Sequence, residues 1–257
     1  FVGEAIASIA NQSYGPIELI VVDDASTDNS VEQIEKAFAE VGGALQSTRL
    51  IALEENVGKL GALNRALPHV KGHYFIILDS DDILTPDYVK RTIAELEKAR
   101  EEDDTIGFLY TDCMLISPSG EELDRGKSTG WDPALLDRYS FVPEPATCLA
   151  APVLEAGPYD EAIRKGTKHH KWKRIVANGW NGRHLAEPLF CYRMHQDNLS
   201  GIGKRVIDEV ERGEGRTRTE KVTFERLGGM CPRCEGRGQV SDIDLSALYD
   251  DSLSLNQ

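Results

Sequence analysis

Two short apolar runs, each followed directly by acidic residues, constrain the fold of this chain more than any other feature. The run 17–22 leads into Asp23-Asp24, and the run 74–78 leads into Asp79-Ser80-Asp81-Asp82. Short runs of β-branched and aromatic residues are typical of buried strands. Open α/β sheets bind ligands at the carboxyl ends of their strands, where clustered carboxylates offer the hard oxygen ligands that Mg²⁺ and Mn²⁺ prefer. The two runs therefore predict an α/β protein with a metal-assisted diphosphate site at one sheet edge.

The acidic residues have a second interpretation. Asp and Ser also favour turns and helix N-caps, so the motif Asp79-Ser80-Asp81 is a weak signal by itself. Its weight increases because two successive predicted strands deliver acids to the same edge.

The segment 56–66 is predicted to be a Gly-containing turn that opens a helix. Backbone N–H groups at such a helix start, with Lys59 beside them, favour a phosphate or a uracil-type carbonyl. Gly58 and Gly61 are equally consistent with tight packing or a simple turn. The hydrophobic pattern predicts further elements, which are helices 30–41 and 86–102, strands 48–53 and 106–110, a strand-like segment 189–192 and a hairpin around 117–120.

Several motifs follow one another in a characteristic order. They are the segments 8–14, 21–28, 56–59 with Asn64, 78–82, 110–112, and 192–195 with Ser200. Together they resemble the GT-A glycosyltransferases of family 2 over about residues 1–201. The resemblance implies a mostly parallel, Rossmann-like sheet flanked by helices, with a donor half at 1–112 and an acceptor half at 113–201.

The resemblance also implies an activity, which is inverting transfer of a sugar from a UDP- or dTDP-linked donor to an acceptor hydroxyl, as in polysaccharide biosynthesis. It implies that Asp79 and Asp81 hold Mn²⁺ or Mg²⁺, and that the acceptor is a glycan, a lipid-linked molecule or a protein. Asp112 and Trp131 would line the acceptor pocket, although Trp131 is also consistent with core packing. The donor-binding residues would be Asp23, Asp24, Lys59, Asp79, Ser80, Asp81, Arg193 and His195.

The chain departs from the family pattern in two places. It begins inside what would be the first helix of the family, so the first strand is expected to be missing. The acidic pair that usually supplies the general base is replaced by Thr167-Lys168, followed by His169 and His170. A neutral histidine could take the proton. Equally, the replacement could mark an inactive relative that only binds a nucleotide-sugar or a glycan.

Charge and composition limit the partners. The net charge of −14 disfavours binding to nucleic acid. The basic run 164–174 is either an exposed helix face or a surface that attracts an acidic acceptor or a phosphorylated lipid. No apolar stretch approaches the roughly 20 residues of a membrane-spanning helix. Five cysteines without a repeating spacing fit a reducing cytosol better than a disulfide scaffold, so we expect a cytoplasmic protein, with peripheral association at the inner membrane face as a further option. A nucleotidyltransferase is a further alternative, but the Gly-rich phosphate loop expected near its start is not found.

The segment 202–257 lies outside the resemblance and is expected to be a flexible linker and tail. It contains Cys231 and Cys234 in a Cys-x-x-Cys-x-Gly-x-Gly motif, similar to half of a zinc module of the DnaJ chaperone family. A closed zinc site requires four ligands, so this pair could bind Zn²⁺ only with further ligands. Cys113, Cys148 and Cys191 are expected to be small core residues.

Overall fold

The computed structural model describes residues 1–138, 140–195 and 198. Six α-helices lie within these residues, namely α1 (Val2–Ala10), α2 (Ser30–Val41), α3 (Gly58–Ala66), α4 (Tyr88–Glu102), α5 (Ala150–Ala156) and α6 (Thr167–Ala177). The strands are β1 (Glu18–Asp23), β2 (Ser47–Ala52), β3 (Tyr74–Ile76), β4 (Ile83–Leu84), β5 (Ile106–Ile116), β6 (Glu122–Gly126), β7 (Ala146–Leu149) and β8 (Asn181–Arg193).

The described strands form two sheets. The smaller sheet is the parallel pair β1–β2, with Glu18 opposite Ser47. The larger has the order β3-β7-β5-β8-β4, and β6 pairs with the outer part of β5. Among the strands in the described ranges, β1 pairs only with β2 and β3 only with β7.

The larger sheet is mixed rather than mostly parallel, which corrects one part of the prediction. Only β5–β8 is a parallel ladder in it, whereas β7 runs antiparallel to both β3 and β5. The chain reverses after β5 in a tight turn, where the Ser117 N–H donates to the Glu121 carbonyl at 2.8 Å. A short hairpin can join only antiparallel strands. The predicted hairpin around 117–120 and the α/β class are confirmed.

Helices cover both faces of the larger sheet. Side chains alternate between faces along a strand, so Phe108 and Tyr110 of β5 face one side and Leu109 the other. Phe108 packs against Trp172 of α6, with ring centroids 4.5 Å apart, while Leu109 clusters with Leu96 of α4. Trp172 is 1% exposed. Burial of rings of this size stabilises a core by about 3–5 kcal/mol each against truncation to Ala.

The predicted element bounds agree closely for α2 and less closely elsewhere. The prediction for α2 matches the helix Ser30–Val41, and α4 begins two residues after its predicted start. β5 continues to Ile116, well beyond its predicted end at 110. It extends because β8 pairs with it along nearly its whole length and β6 pairs with its outer end.

The cysteines of the described residues lie where the sequence placed them. Cys113 and Cys148 are buried on β5 and β7, and Cys191 is partly buried on β8, all three as free thiols. Cys231 and Cys234 lie outside the described residues. Within 1–138, 140–195 and 198, no helix combines the length and apolar character needed to cross a membrane.

Candidate active site

The acids that follow β1 and β3 meet across the start of α3. Asp24 accepts hydrogen bonds from the backbone N–H groups of Val57 at 2.7 Å and Gly58 at 2.8 Å. The next residue, Lys59, places its ammonium 2.6 Å from Oδ1 of Asp79. Consecutive residues of α3 therefore connect the acid behind β1 to the acid behind β3.

The contacts of Asp24 correct the expectation for the start of α3. The N–H groups of Val57 and Gly58 do not face outward to receive a phosphate or a uracil carbonyl, because the Asp24 carboxylate already accepts from both. A carboxylate at a helix start satisfies orphan N–H groups and is stabilised by the helix dipole. Asp23 is buried, and its Oδ2 accepts from the Ser26 N–H at 3.1 Å, which shapes the turn behind β1.

Asp81 faces a histidine from the far end of the described chain. Its Oδ2 lies 2.8 Å from Nε2 of His195 and 3.4 Å from the amide nitrogen of Asn198. Asp81 and His195 are both partly exposed, at 25% and 16% of their side-chain surface. Ser80 is exposed between the two acids. The structure thus places the predicted metal ligand Asp81 beside the predicted donor-binding residue His195.

Arg193 is buried behind Asp81 rather than on the open side of the site. Its guanidinium donates to the carbonyl oxygens of Asp81 at 2.9 Å and Pro118 at 2.8 Å, and to the Glu4 carboxylate. It also lies 4.6 Å from the centre of the Phe1 ring. With 0% exposure it is not positioned to contact a diphosphate in this conformation, which corrects the role expected for it. Arg193 instead ties α1 and the β5–β6 turn to the segment that bears Asp81.

Asp82 is the buried neighbour of the partly exposed Asp79 and Asp81. It is 0% exposed, its Oδ1 accepts from the Arg193 N–H at 3.0 Å, and its Oδ2 meets no donor among the described residues. Burial, followed by the charges of Asp79 and Asp81, raises its pKa well above the usual value for Asp. Asp82 therefore holds the turn through its hydrogen bond to the Arg193 N–H, and it releases its proton less readily than an ordinary Asp.

Sequence reasoning missed Glu144, which lies at the centre of the charge network. Its Oε2 is 2.5 Å from the ammonium of Lys59, and its Oε1 accepts from the ammonium of Lys171. Glu144 is 2% exposed. Although burial raises its pKa, Lys171, Lys59 and Lys168 lower it more strongly, and the net direction is downward. Nothing in the stretch 142–145 resembles an acid-ended strand, so the sequence offered no signal for it.

The pKa of Lys59 depends on its burial and on its two carboxylate partners. Burial lowers its pKa, but the charges of Asp79 and Glu144 raise it, and the net direction is above the usual value for Lys. Lys59 therefore keeps its positive charge beside the acids across the neutral range.

The two histidines proposed as general base lie on the flank of α6. His169 and His170 line a surface hollow with Ile163, Lys173 and neighbouring residues. Successive residues of a helix are about 100° apart, so His170 is turned about 200° from Lys168, whose charge acts on Lys59 and Glu144. His170 instead has Tyr159, Asp160 and Arg174 as neighbours. This geometry does not support His170 as the base.

The two predicted acceptor residues make internal contacts. The buried Asp112 accepts from the Ser128 N–H at 2.8 Å, and its Oδ1 lies 2.8 Å from Nε2 of His184. The Trp131 ring packs edge-on against Phe108, with centroids 5.1 Å apart. The packing interpretation of Trp131 thus accounts for its position. Ser200 lies outside the described residues.

The fold and the acid cluster place the chain in the GT-A class of glycosyltransferases, and comparisons with known proteins agree. The family model "Glycosyl transferase family 2" matches residues 1–114. A Bacillus subtilis (strain 168) protein named for teichuronic acid biosynthesis, TuaG, is 31% identical over 78% of this chain and 76% of its own length. Another from the same strain, named as the glycosyltransferase EpsE, is 38% identical over 76% of this chain and 68% of its own.

Solved structures show the same fold. A structure of S. aureus TarS 1-349 in complex with UDP has a TM-score of 0.58 and 18% identity, covering 80% of this chain and 60% of that chain. The mannosyltransferase PcManGT from Pyrobaculum calidifontis, in complex with GDP-Man and Mn2+, has a TM-score of 0.57 and 21% identity, covering 82% and 60%. The chain therefore spans about three fifths of each solved chain. It belongs to glycosyltransferase family 2.

Proposed function

We propose that this chain moves a sugar from a nucleoside diphosphate to an acceptor hydroxyl, with inversion at the anomeric carbon and with a divalent metal. The observation that carries the proposal is the Asp81–His195 pair beside the Lys59–Asp79 pair at the end of β3. The UDP and the GDP-Man with Mn2+ bound to the two solved relatives support a nucleotide-sugar donor. Both nucleotide ligands are bound by proteins that share the fold of this chain.

The residues present fit a divalent ion. Two ligands about 2.1 Å from a metal, at right angles, lie about 3 Å apart. Oδ2 of Asp81 and Nε2 of His195 are 2.8 Å apart, which suits such a pair. Within the described residues no group of three or more His, Cys, Asp or Glu could hold a metal. A bound diphosphate and water would therefore complete the shell.

Each side chain of the site then has a defined task. Asp81 and His195 would hold Mn²⁺ or Mg²⁺, which offsets the charge that develops on the leaving diphosphate. Lys59, kept charged by its carboxylate partners, would lie near the base, and Asp79 near the ribose. The donor half would occupy 1–112 and the acceptor half 113–201.

A second candidate is a relative that binds nucleotide-sugar without turnover. Thr167 and Lys168 form the first turn of α6, where the resemblance implies an acidic base, and this turn contains no acidic residue. A protonated lysine cannot accept the acceptor proton. This observation favours binding without catalysis.

Calorimetric titration distinguishes the two candidates. UDP, dTDP and GDP are titrated with and without Mn²⁺ into the wild type, Asp81→Asn and the surface control Glu40→Gln, followed by assays of donor hydrolysis. Metal-dependent binding with turnover, both lost in Asp81→Asn and kept in Glu40→Gln, supports the transferase. Binding without turnover supports the second candidate. If no nucleotide binds with Mn²⁺, both are wrong.

The stereochemical part requires its own measurement. Proton NMR of the first sugar product formed from an α-linked donor is expected to show the β-anomer. Retention of the α configuration would contradict inversion.

A further inference from the structure

Four charged side chains of alternating sign run from α6 to the acids behind β3. Lys171 on α6 contacts Glu144, Glu144 contacts Lys59 on α3, and Lys59 contacts Asp79. The inner pair is almost sealed from solvent, with side-chain exposures of 3% for Lys171 and 2% for Glu144, whereas Lys59 and Asp79 are each 28% exposed. We call this series the charge chain.

Glu144 can remain ionised in this position because both of its oxygens are compensated. An isolated buried carboxylate is strongly unfavourable, whereas one bonded to two cations is tolerated. One oxygen of Glu144 accepts a hydrogen bond from Lys171, and the other lies 2.5 Å from the Lys59 ammonium as an ion pair without hydrogen-bond geometry. The carboxylate therefore places a fixed negative charge between α6 and α3.

The fixed Glu144 carboxylate restrains the side chain of Lys59. A free lysine side chain populates many rotamers, so an ammonium bound only to a partly exposed aspartate would move between several positions. Glu144 contacts the same ammonium from the buried side and thereby holds it against Oδ1 of Asp79. The Asp79 side chain is 28% exposed in this pairing and therefore stays accessible to a ligand.

We propose that Glu144 is a positioning residue of the donor site, which holds Lys59 in place and so orients the Asp79 carboxylate toward the bound nucleotide. This role rests on the proposed function only for the identity of the ligand. Its consequence is that Lys171 of the acceptor-half helix α6 is coupled to the donor acids through three ion pairs.

If Glu144 had a purely structural role, a single substitution of Glu144 or Lys171 would give a similar result. Removing one partner of a buried ion pair strongly destabilises a protein wherever the pair lies, while replacing both partners by neutral groups is often tolerated. The double variant Glu144→Gln/Lys171→Met removes both inner charges together. Glu144→Asp keeps the charge but shortens its reach by one methylene.

The test measures Lys59 directly. Acylation of each lysine by an amine-reactive reagent is followed by mass spectrometry in the wild type and both variants, with the exposed Lys36 as internal reference. The melting temperature and the UDP affinity in Mn²⁺ are measured on the same samples. Lys59 is expected to react about fivefold or more faster in Glu144→Gln/Lys171→Met, because its ammonium has lost its buried carboxylate and deprotonates more readily. In Glu144→Asp the carboxylate is retained but contacts the ammonium less closely, so Lys59 is expected to react faster by a smaller factor. The UDP affinity is expected to fall by about tenfold, even where the melting temperature is restored.

The outcomes separate the two proposals. If Lys59 is acylated at the wild-type rate in both variants, the positioning role is wrong. It is also wrong if a variant with the wild-type melting temperature binds UDP with the wild-type affinity. If the wild type binds no nucleotide, the proposed function fails, but the Lys59 rates still decide whether Glu144 holds that side chain.

Discussion

Nε2 of His195 lies 2.8 Å from Oδ2 of Asp81, and 114 positions of sequence separate the two residues. β8 brings them together, because its residue Cys191 pairs with Ile83 of β4, directly after the acids. The Arg193 N–H then bonds to the Asp82 carboxylate at 3.0 Å and fixes the end of β8. A short ladder and one buried hydrogen bond thus hold the proposed metal pair.

The pair predicts a metal-specific effect of His195→Gln. Losing one of two protein ligands is expected to lower the Mn²⁺-dependent affinity for UDP or GDP by about tenfold or more, and to leave any metal-free affinity unchanged. Calorimetry with and without Mn²⁺ measures both quantities. The exposed His73→Gln is the control. Equal losses in the presence and absence of metal would contradict a role in metal binding.

Gly58→Ala tests the packing at the start of α3. Gly58 has φ +78°, and an added Cβ would collide with the guanidinium of Arg164. The variant is expected to lose about 1–3 kcal/mol of unfolding free energy, because the backbone is left-handed there and Arg164 must move. Urea unfolding measures the loss, with Gly43→Ala as control, since a Cβ at Gly43 meets nothing within 4 Å. In an Arg164→Ala background the loss should shrink to the backbone part, and an undiminished loss would show that the collision is unimportant.

Asp24→Ala tests the capping role of this acid. Two backbone N–H groups lose their acceptor, so the unfolding free energy is expected to fall by about 1–2 kcal/mol. Asp24→Asn keeps one accepting oxygen and should lose less. Chemical denaturation measures both variants beside Asp28→Ala, an exposed acid that bonds only locally to Ser30. If Asp24→Ala is as stable as the wild type, the capping bonds contribute little.

His170 predicts a pH effect on stability without an effect on turnover. Burial, followed by the charge of Arg174, lowers its pKa in the folded protein, with a smaller opposing effect of Asp160. Between the lowered pKa and the unfolded value of about 6.5, the unfolded chain binds more protons, so the stability falls as the pH falls through that window. His170→Gln is expected to reduce this loss.

Unfolding free energies of the wild type and His170→Gln at about pH 8 and about pH 5 measure the difference. Donor hydrolysis by His170→Gln should stay within about twofold of the wild type, because the ring is turned away from the acid cluster. A loss of turnover by two orders of magnitude or more would restore His170 as the candidate base.

The positions of the acids could be predicted because they depend on local pattern. An apolar run predicts a strand, and the residues behind it lie at its carboxyl end, as Asp24 does for β1 and Asp79 for β3. The prediction of one shared sheet edge is wrong, because β1 and β3 belong to different sheets. The start of α3 connects the two sets of acids instead. The amphipathic pattern of α2 likewise sufficed for its bounds. The extension of β5 did not follow from pattern alone, since it depends on two neighbouring strands.

The roles of the individual side chains required the folded chain. His170 and Lys168 are two positions apart, yet the turn of α6 gives them different surroundings. The sequence resemblance implies a contact between Arg193 and the diphosphate, but the folded chain buries Arg193 against Glu4 and Pro118, which come from distant segments.

The sequence by itself determined the α/β class, the family and the acids at the strand ends, because strand formation and hydrophobic patterning are encoded over a few neighbouring residues. Only the tertiary structure decided that Asp24 caps α3, that His195 meets Asp81, and that Glu144 lies between Lys59 and Lys171. Ion pairs and hydrogen bonds of this kind join residues that are remote in sequence, and their energies depend on burial and distance, which exist only after the chain has folded.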